Sequence, residues 1–189
     1  MKARQSNQMK PQAPADTHLA RIVGIVKLGH QPGFTWNGKE IESQYKVEIT
    51  YELVDTEMEE GKPFWVSEEV KDSDNEKSTL YARCKAASCS VYELDKLINA
   101  SVMVRVTHND KGYAKVDGQS AVSGVPGSIV VASLRNDSFI FDPYHPDMDE
   151  WTKLPEFKKN KIQNSLDYQE MAISKLLKAD DEKLDDLPY

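Results

Sequence analysis

Hydrophobic and polar residues alternate most cleanly over residues 44–54. Tyr45, Val47, Ile49, Tyr51 and Leu53 fall on one face and Lys46, Glu48, Thr50 and Glu52 on the other, which is the period of a half-buried antiparallel strand. That pattern assigns Tyr45 and Tyr51 to the core. Upstream, residues 19–28 form a β-branched and aliphatic run that ends in turn chemistry at Gly29, Pro32 and Gly33, a first strand. The intervening QPGFTWNGKE contains Asn37-Gly38, a hairpin signal that leaves Phe34 and Trp36 on an exposed loop. After an acidic loop, PFWVSEEV supplies a short third strand. Leu80, Tyr81 and Cys84, then Leu94, Leu97 and Ile98, recur at helical spacing and predict one broken helix or two short ones over 78–98. Val102, Val104 and Val106 restore the two-residue period, 109–112 turns the chain, and Tyr113 to Val116 alternates again.

Three strands, a helical segment and a two-strand hairpin within about a hundred residues is the order of a five-stranded OB-fold-like Greek-key barrel. The predicted fold is therefore mainly β, with the helical segment between strands 3 and 4. Past Gly118 the pattern weakens: 129–134 offers a short extra strand, and FDPYHPDMDEWTKLP reads as a Pro- and Asp-rich loop. Residues 157–178 then predict a C-terminal helix, with Ile162, Leu166, Met171, Ile173, Leu176 and Leu177 for its apolar faces. The division of the chain that follows is a basic arm over 1–16, a domain over 17–150, a helical extension over 151–178 and a disordered acidic tail over 179–189.

Length and composition fit one core with appendages: 189 residues, 39% hydrophobic and 29% charged. No run is long and apolar enough for a membrane span. The N-terminus has basic residues without an apolar segment behind them, unlike a secretory signal, and only Cys84 and Cys89 occur, too few for a disulfide scaffold. A cytoplasmic location is the expectation. The net charge of −7 argues at first against a nucleic-acid partner, but its distribution does not. Acidic residues concentrate in 55–76, 119–150 and 179–189, while 1–54, 77–118 and 151–178 each carry more Lys and Arg than Asp and Glu. A cationic face on an acidic chain is compatible with that pattern, as is ordinary mixed surface charge.

The chain ends Asp185, Asp186, Leu187, Pro188, Tyr189. Carboxylates followed by an aliphatic residue, a proline and a terminal aromatic resemble the C-terminal tip of bacterial single-stranded-DNA-binding proteins. The chemistry suits recruitment: carboxylates are steered to basic partners, and Leu187 and Tyr189 fill an apolar pocket. Residues 20–116, with RIVGIVKLG, EITYEL, GKPFWVSEEV and VMVRVTHNDKGYAKV, resemble phage single-stranded-DNA-binding proteins that join an OB-fold to an acidic tail. The resemblance implies sequence-tolerant binding of single strands in replication, recombination or repair, with the tail recruiting replication or recombination proteins. An acidic tail after a net basic helix also suggests that 180–189 compete for the DNA groove until a strand displaces them.

Such a site needs aromatic faces for bases and cations for phosphates. The candidates for stacking are Phe34, Trp36, Trp65 and Tyr113, and those for phosphate contacts are Arg21, Lys27, Lys39, Lys46, Arg105 and Lys115. A small barrel must also fill its interior, and that demand competes for Phe34, Trp65 and Tyr113. No metal site is expected, because the Cys and His residues lack ligand spacing. Nor is a cofactor or a catalytic activity, because no phosphate-cradling glycine loop or nucleophile elbow occurs. The competing expectation is a protein-interaction or structural module whose tail only solubilises; self-association stays open under both.

Overall fold

The computed structural model of the protein describes residues 11–59, 61–122 and 136–185. The arm residues 1–10, the strand expected over 129–134 and the tip residues Asp186, Leu187, Pro188 and Tyr189 lie outside them. The protein is mainly β, with one antiparallel-rich sheet of six strands. Its order is β5 (Lys62–Lys71), β4 (Gln44–Glu59), β1 (Thr17–Gln31), β6 (Ser101–His108) and β7 (Ala114–Ala121). The sixth strand, β8 (Phe139–Phe141), pairs in parallel with residues 24–26 of β1 where β6 has ended. A separate two-stranded hairpin joins β2 (Phe34–Trp36) to β3 (Lys39–Ile41).

The sheet is not closed into the barrel expected from the strand order. Strands β5 and β7 approach one another without pairing, because side chains fill the seam. The Tyr51 hydroxyl donates to Glu68 Oε1 at 2.6 Å and lies 2.8 Å from Gln119 Oε1, and Arg83 grips Glu68 through two nitrogens at 2.7 and 2.9 Å. Burial, then the Glu68 charge, pushes the Tyr51 hydroxyl well above its ordinary pKa, so it stays a donor. Arg83 comes from α1 (Thr79–Ala86), which begins where the Ser78 hydroxyl caps the Tyr81 N–H at 3.1 Å.

The inner face carries one core, including Ile22, Ile49, Tyr51, Val66, Leu80 and Val104. The outer face is not the solvated face that the alternation in β4 predicts. Glu48, Thr50 and Glu52 are buried, because a second layer covers them: β8, α2 (Met148–Lys153) and α3 (Glu156–Gln163), followed by α4 (Ala172–Asp185). Val26, Leu28, Phe141, Trp151, Leu154, Ile162, Met171 and Ile173 make a second core there. At roughly 1.5–3 kcal/mol per buried apolar side chain, this packing outweighs the exposed ion pairs nearby, worth about 1 kcal/mol or less. The C-terminal helices and the sheet therefore share a core.

Three further local expectations are corrected. The acidic stretch after Val54 is not a loop up to strand three: β4 runs on to Glu59 and forms a hairpin with β5, irregular between Glu52 and Glu57. The helix expected over 157–178 is two helices, because the chain leaves α3 to bond the end of β1. There Leu166 N–H donates to His30 O at 2.8 Å and Asp167 Oδ1 accepts from His30 N–H at 2.9 Å. Finally, α4 does not stop before the tail but continues to Asp185, through the good helix formers Ala179, Glu182, Lys183 and Leu184.

Candidate nucleic-acid interface

Strand register sets where the sequence-predicted residues stand. Pairing of His30 with Tyr45 puts the β2–β3 hairpin at one end of β1, and pairing of Thr17 with Arg105 puts the β6–β7 turn at the other. Between these ends lies the outer face of β4 and β5, where Trp65 pairs with Glu52, Ser67 with Thr50, Glu69 with Glu48 and Lys71 with Lys46. From Glu52 to Lys46 the span is roughly 20 Å at about 3.3 Å per residue.

At the first end, Asn37 (φ 49°) and Gly38 (φ 73°) form the tight turn that Asn-Gly favours. Phe34 and Trp36, two residues apart, are 49% and 65% exposed. Lys39 is opposite Trp36 in the hairpin, and the Lys46 ammonium stands 5.8 Å from the Phe34 ring centre. Tyr45 belongs to this group and not to the core: it is exposed and stacks on His30 with centroids 4.7 Å apart at 15°. Its neighbours on the same face, from Val47 onward, are buried. The core simply does not extend as far as the start of the strand.

At the other end, Tyr113 follows Gly112 (φ 79°) and is half exposed; Asn109 Oδ1 accepts its N–H at 3.0 Å and so fixes the turn. Lys115 lies on the outward face of the same hairpin, and Arg105 pairs with Asp117 at 3.3 Å. Trp65 is between the two ends and is also no core residue. Its Nε1 donates to Glu52 Oε2 at 3.1 Å, an oxygen that Asn136 Nδ2 reaches at 2.6 Å, while the indole leans on the Phe139 ring at 6.0 Å. Trp65, Phe139 and Phe157 line one groove of about 860 Å³, with Met58, Lys62 and Lys153.

Two of the predicted cations lie elsewhere. Lys27 pairs with Asp142 at 2.8 Å beside Asp72 and Tyr92. Burial opposes ionisation of Asp142, but the Lys27 ammonium and the Tyr144 N–H hold its carboxyl below the usual range. Arg21 is half-buried in mid-β1, across from Glu52 and Ser101. Asp185 closes α4, while the rest of the predicted tip is outside the described residues.

Tyr45, Tyr92, Phe139 and Phe157 are exposed or groove-lining rings that the sequence did not single out for stacking. A signal existed for Phe157, which opens the interleaved Phe-Lys-Lys-Asn-Lys run after Pro155. α3 also brings charge: Lys161 bonds Glu69, which Lys46 approaches to 3.6 Å. Burial holds the Lys161 ammonium below its ordinary value against the pull of Glu48, and Lys46 adds to the depression. Among the described residues no group of three His, Cys, Asp or Glu side chains is placed to hold a metal, and no helix is long and apolar enough to cross a membrane. The chain matches no family model, no curated protein and no solved structure.

Proposed function

We propose that the protein binds single-stranded DNA without regard to sequence and is not an enzyme. The observation that carries this is the set of exposed rings distributed over the strands and their hairpins: Trp36 and Phe34 on the β2–β3 hairpin, Trp65 on β5 and Tyr113 beside the β6–β7 turn. Exposed aromatic rings beside lysines are the elements of a stacking platform. Support also comes from strand order: numbering only the five main strands, 3-2-1-4-5 with 3 and 5 brought close is the order of an OB-fold whose closing ladder is missing. On this reading the two hairpins flank the strand path. Action in phage-type replication, recombination or repair, with the acidic C-terminus recruiting partner proteins and competing for the empty groove, completes the proposal.

The test is a salt series of oligo-dT binding against a duplex of equal length, followed by tryptophan fluorescence. Tight single-strand binding that weakens steeply with salt, by a log–log slope of about −0.7 per phosphate contacted, is the expected result. No binding at low salt removes the proposal and leaves a protein-interaction module as the alternative.

A further inference from the structure

We infer that the C-terminal helices are part of the nucleic-acid site, with Phe157 of α3 forming a stacking wall of the same groove as Trp65. This rests on the single-strand reading above and extends it to a segment outside the five-strand unit. Neighbouring residues at the start of α3 invert the usual order of burial: Phe157 is 59% exposed while Lys158 is 5% exposed. A buried lysine and an exposed phenylalanine are the informative departures from normal partition. Lys158 has its reason, since its ammonium meets the buried Glu48 carboxylate at 2.5 Å and lies 4.7 Å from the Phe139 ring centre. Phe157 touches the same ammonium at 6.0 Å from its ring centre, yet most of it stays in water. Its ring borders a groove that also holds the half-exposed Trp65, and the volume of about 860 Å³ is within the range of sites that enclose ligands.

The rim is mixed in charge, with Lys62 and Lys153 beside Asp137 and Glu150. Lys62 pairs with Glu59 at 3.1 Å and Lys153 with Glu150 at 2.8 Å, and both ammonium groups are largely exposed. Pairs of this kind contribute almost nothing to stability, so both lysines can turn to phosphates at little cost. Pro11 and Gln12 are also on the groove lining. The occupant that fits two exposed rings flanked by lysines in weak, exposed ion pairs is a single strand with its bases unstacked.

The experiment is an oligo-dT titration of the full chain, comparing wild type with F157A, F157W and W65A, each checked by thermal melting. F157A is expected to melt like wild type and to bind roughly tenfold more weakly, F157W to restore most of the affinity, and W65A to lose a similar factor. Wild-type affinity in F157A, with W65A weakened, would overturn the inference and leave the single-strand reading standing. A wild-type chain that does not bind oligo-dT at low salt removes both.

Discussion

Lys158 of α3 and Glu48 of β4 form an ion pair at 2.5 Å with side chains only 6% and 4% exposed. The pair joins the helical layer to the sheet, and Thr50 Oγ1 lies 3.5 Å from the same ammonium. Removing one partner leaves a buried charge, whereas removing both does not. K158M should therefore destabilise by about 3–5 kcal/mol and the double variant E48Q/K158M by clearly less, read as urea midpoints. A K158M loss below about 1 kcal/mol would show that the charge is not buried in solution.

Gly24 is where the sheet makes room for the groove. A Cβ placed there would meet Phe139 Cζ at 2.1 Å, so the ring lies directly over the glycine. G24A should expel the ring at a cost of roughly 1–3 kcal/mol, typical of overpacking, and should alter the fluorescence of Trp65, which Phe139 touches. An unchanged Tm and unchanged fluorescence would count against this packing.

Asp167 ties the end of β1 to the helical layer. Burial opposes its ionisation, but the Tyr144 hydroxyl and the His30 N–H donate to the carboxylate and hold it below its ordinary value. A carboxylate depressed in the folded state adds stability above its unfolded pKa of about 3.9 and loses it as pH falls through the lower folded value. Asp142 acts in the same direction, while Asp72, raised by burial and by Asp142 against the pull of Lys27, acts in the opposite one. Y144F should cost about 1.5–3 kcal/mol at neutral pH, a difference that shrinks as acid protonates Asp167 below the ordinary carboxylate range. Denaturant melts at pH 7 and at successively lower pH check this; a difference that stays constant down to the acid unfolding of the protein would exclude the carboxylate as the cause.

The cysteines are chemically quiet. Cys89 N–H donates to Cys84 O at 2.9 Å across Ser88 at φ 57°, the six-to-one closure that ends a helix and packs its flanking side chains together. Burial, then Cys89, pushes the Cys84 thiol up to about 12, leaving almost no thiolate at neutral pH. Alkylation of the native protein at pH 8 followed by mass spectrometry should leave Cys84 unmodified, and denaturant should expose it. Rapid native labelling of Cys84 would contradict its burial.

Trp36 allows the function to be probed without touching the fold, since its ring is 65% exposed on a two-strand hairpin. W36A should keep the wild-type Tm and weaken oligo-dT binding by about 1–3 kcal/mol, measured by anisotropy. Undiminished affinity would remove the β2–β3 hairpin from the interface.

The sequence by itself determined what depends on near neighbours. Asn37-Gly38 closes its hairpin because both residues accept positive φ, Ser78 starts α1 because its hydroxyl caps a free N–H, and the alternation from Val47 to Leu53 sets the register of the inner core. It also singled out Trp36 and Phe34, whose exposure follows from that local turn. Tertiary structure alone decided the rest. An alternating strand looks the same whether its polar face meets water or a second layer, so the burial of Glu48 under Lys158 was not legible. The apolar residues of 157–178 suit one long helix, and only hydrogen bonds to His30, more than a hundred positions away, break it. Phe157 and Trp65 are likewise distant in sequence, and they line one groove because helix and sheet share a core.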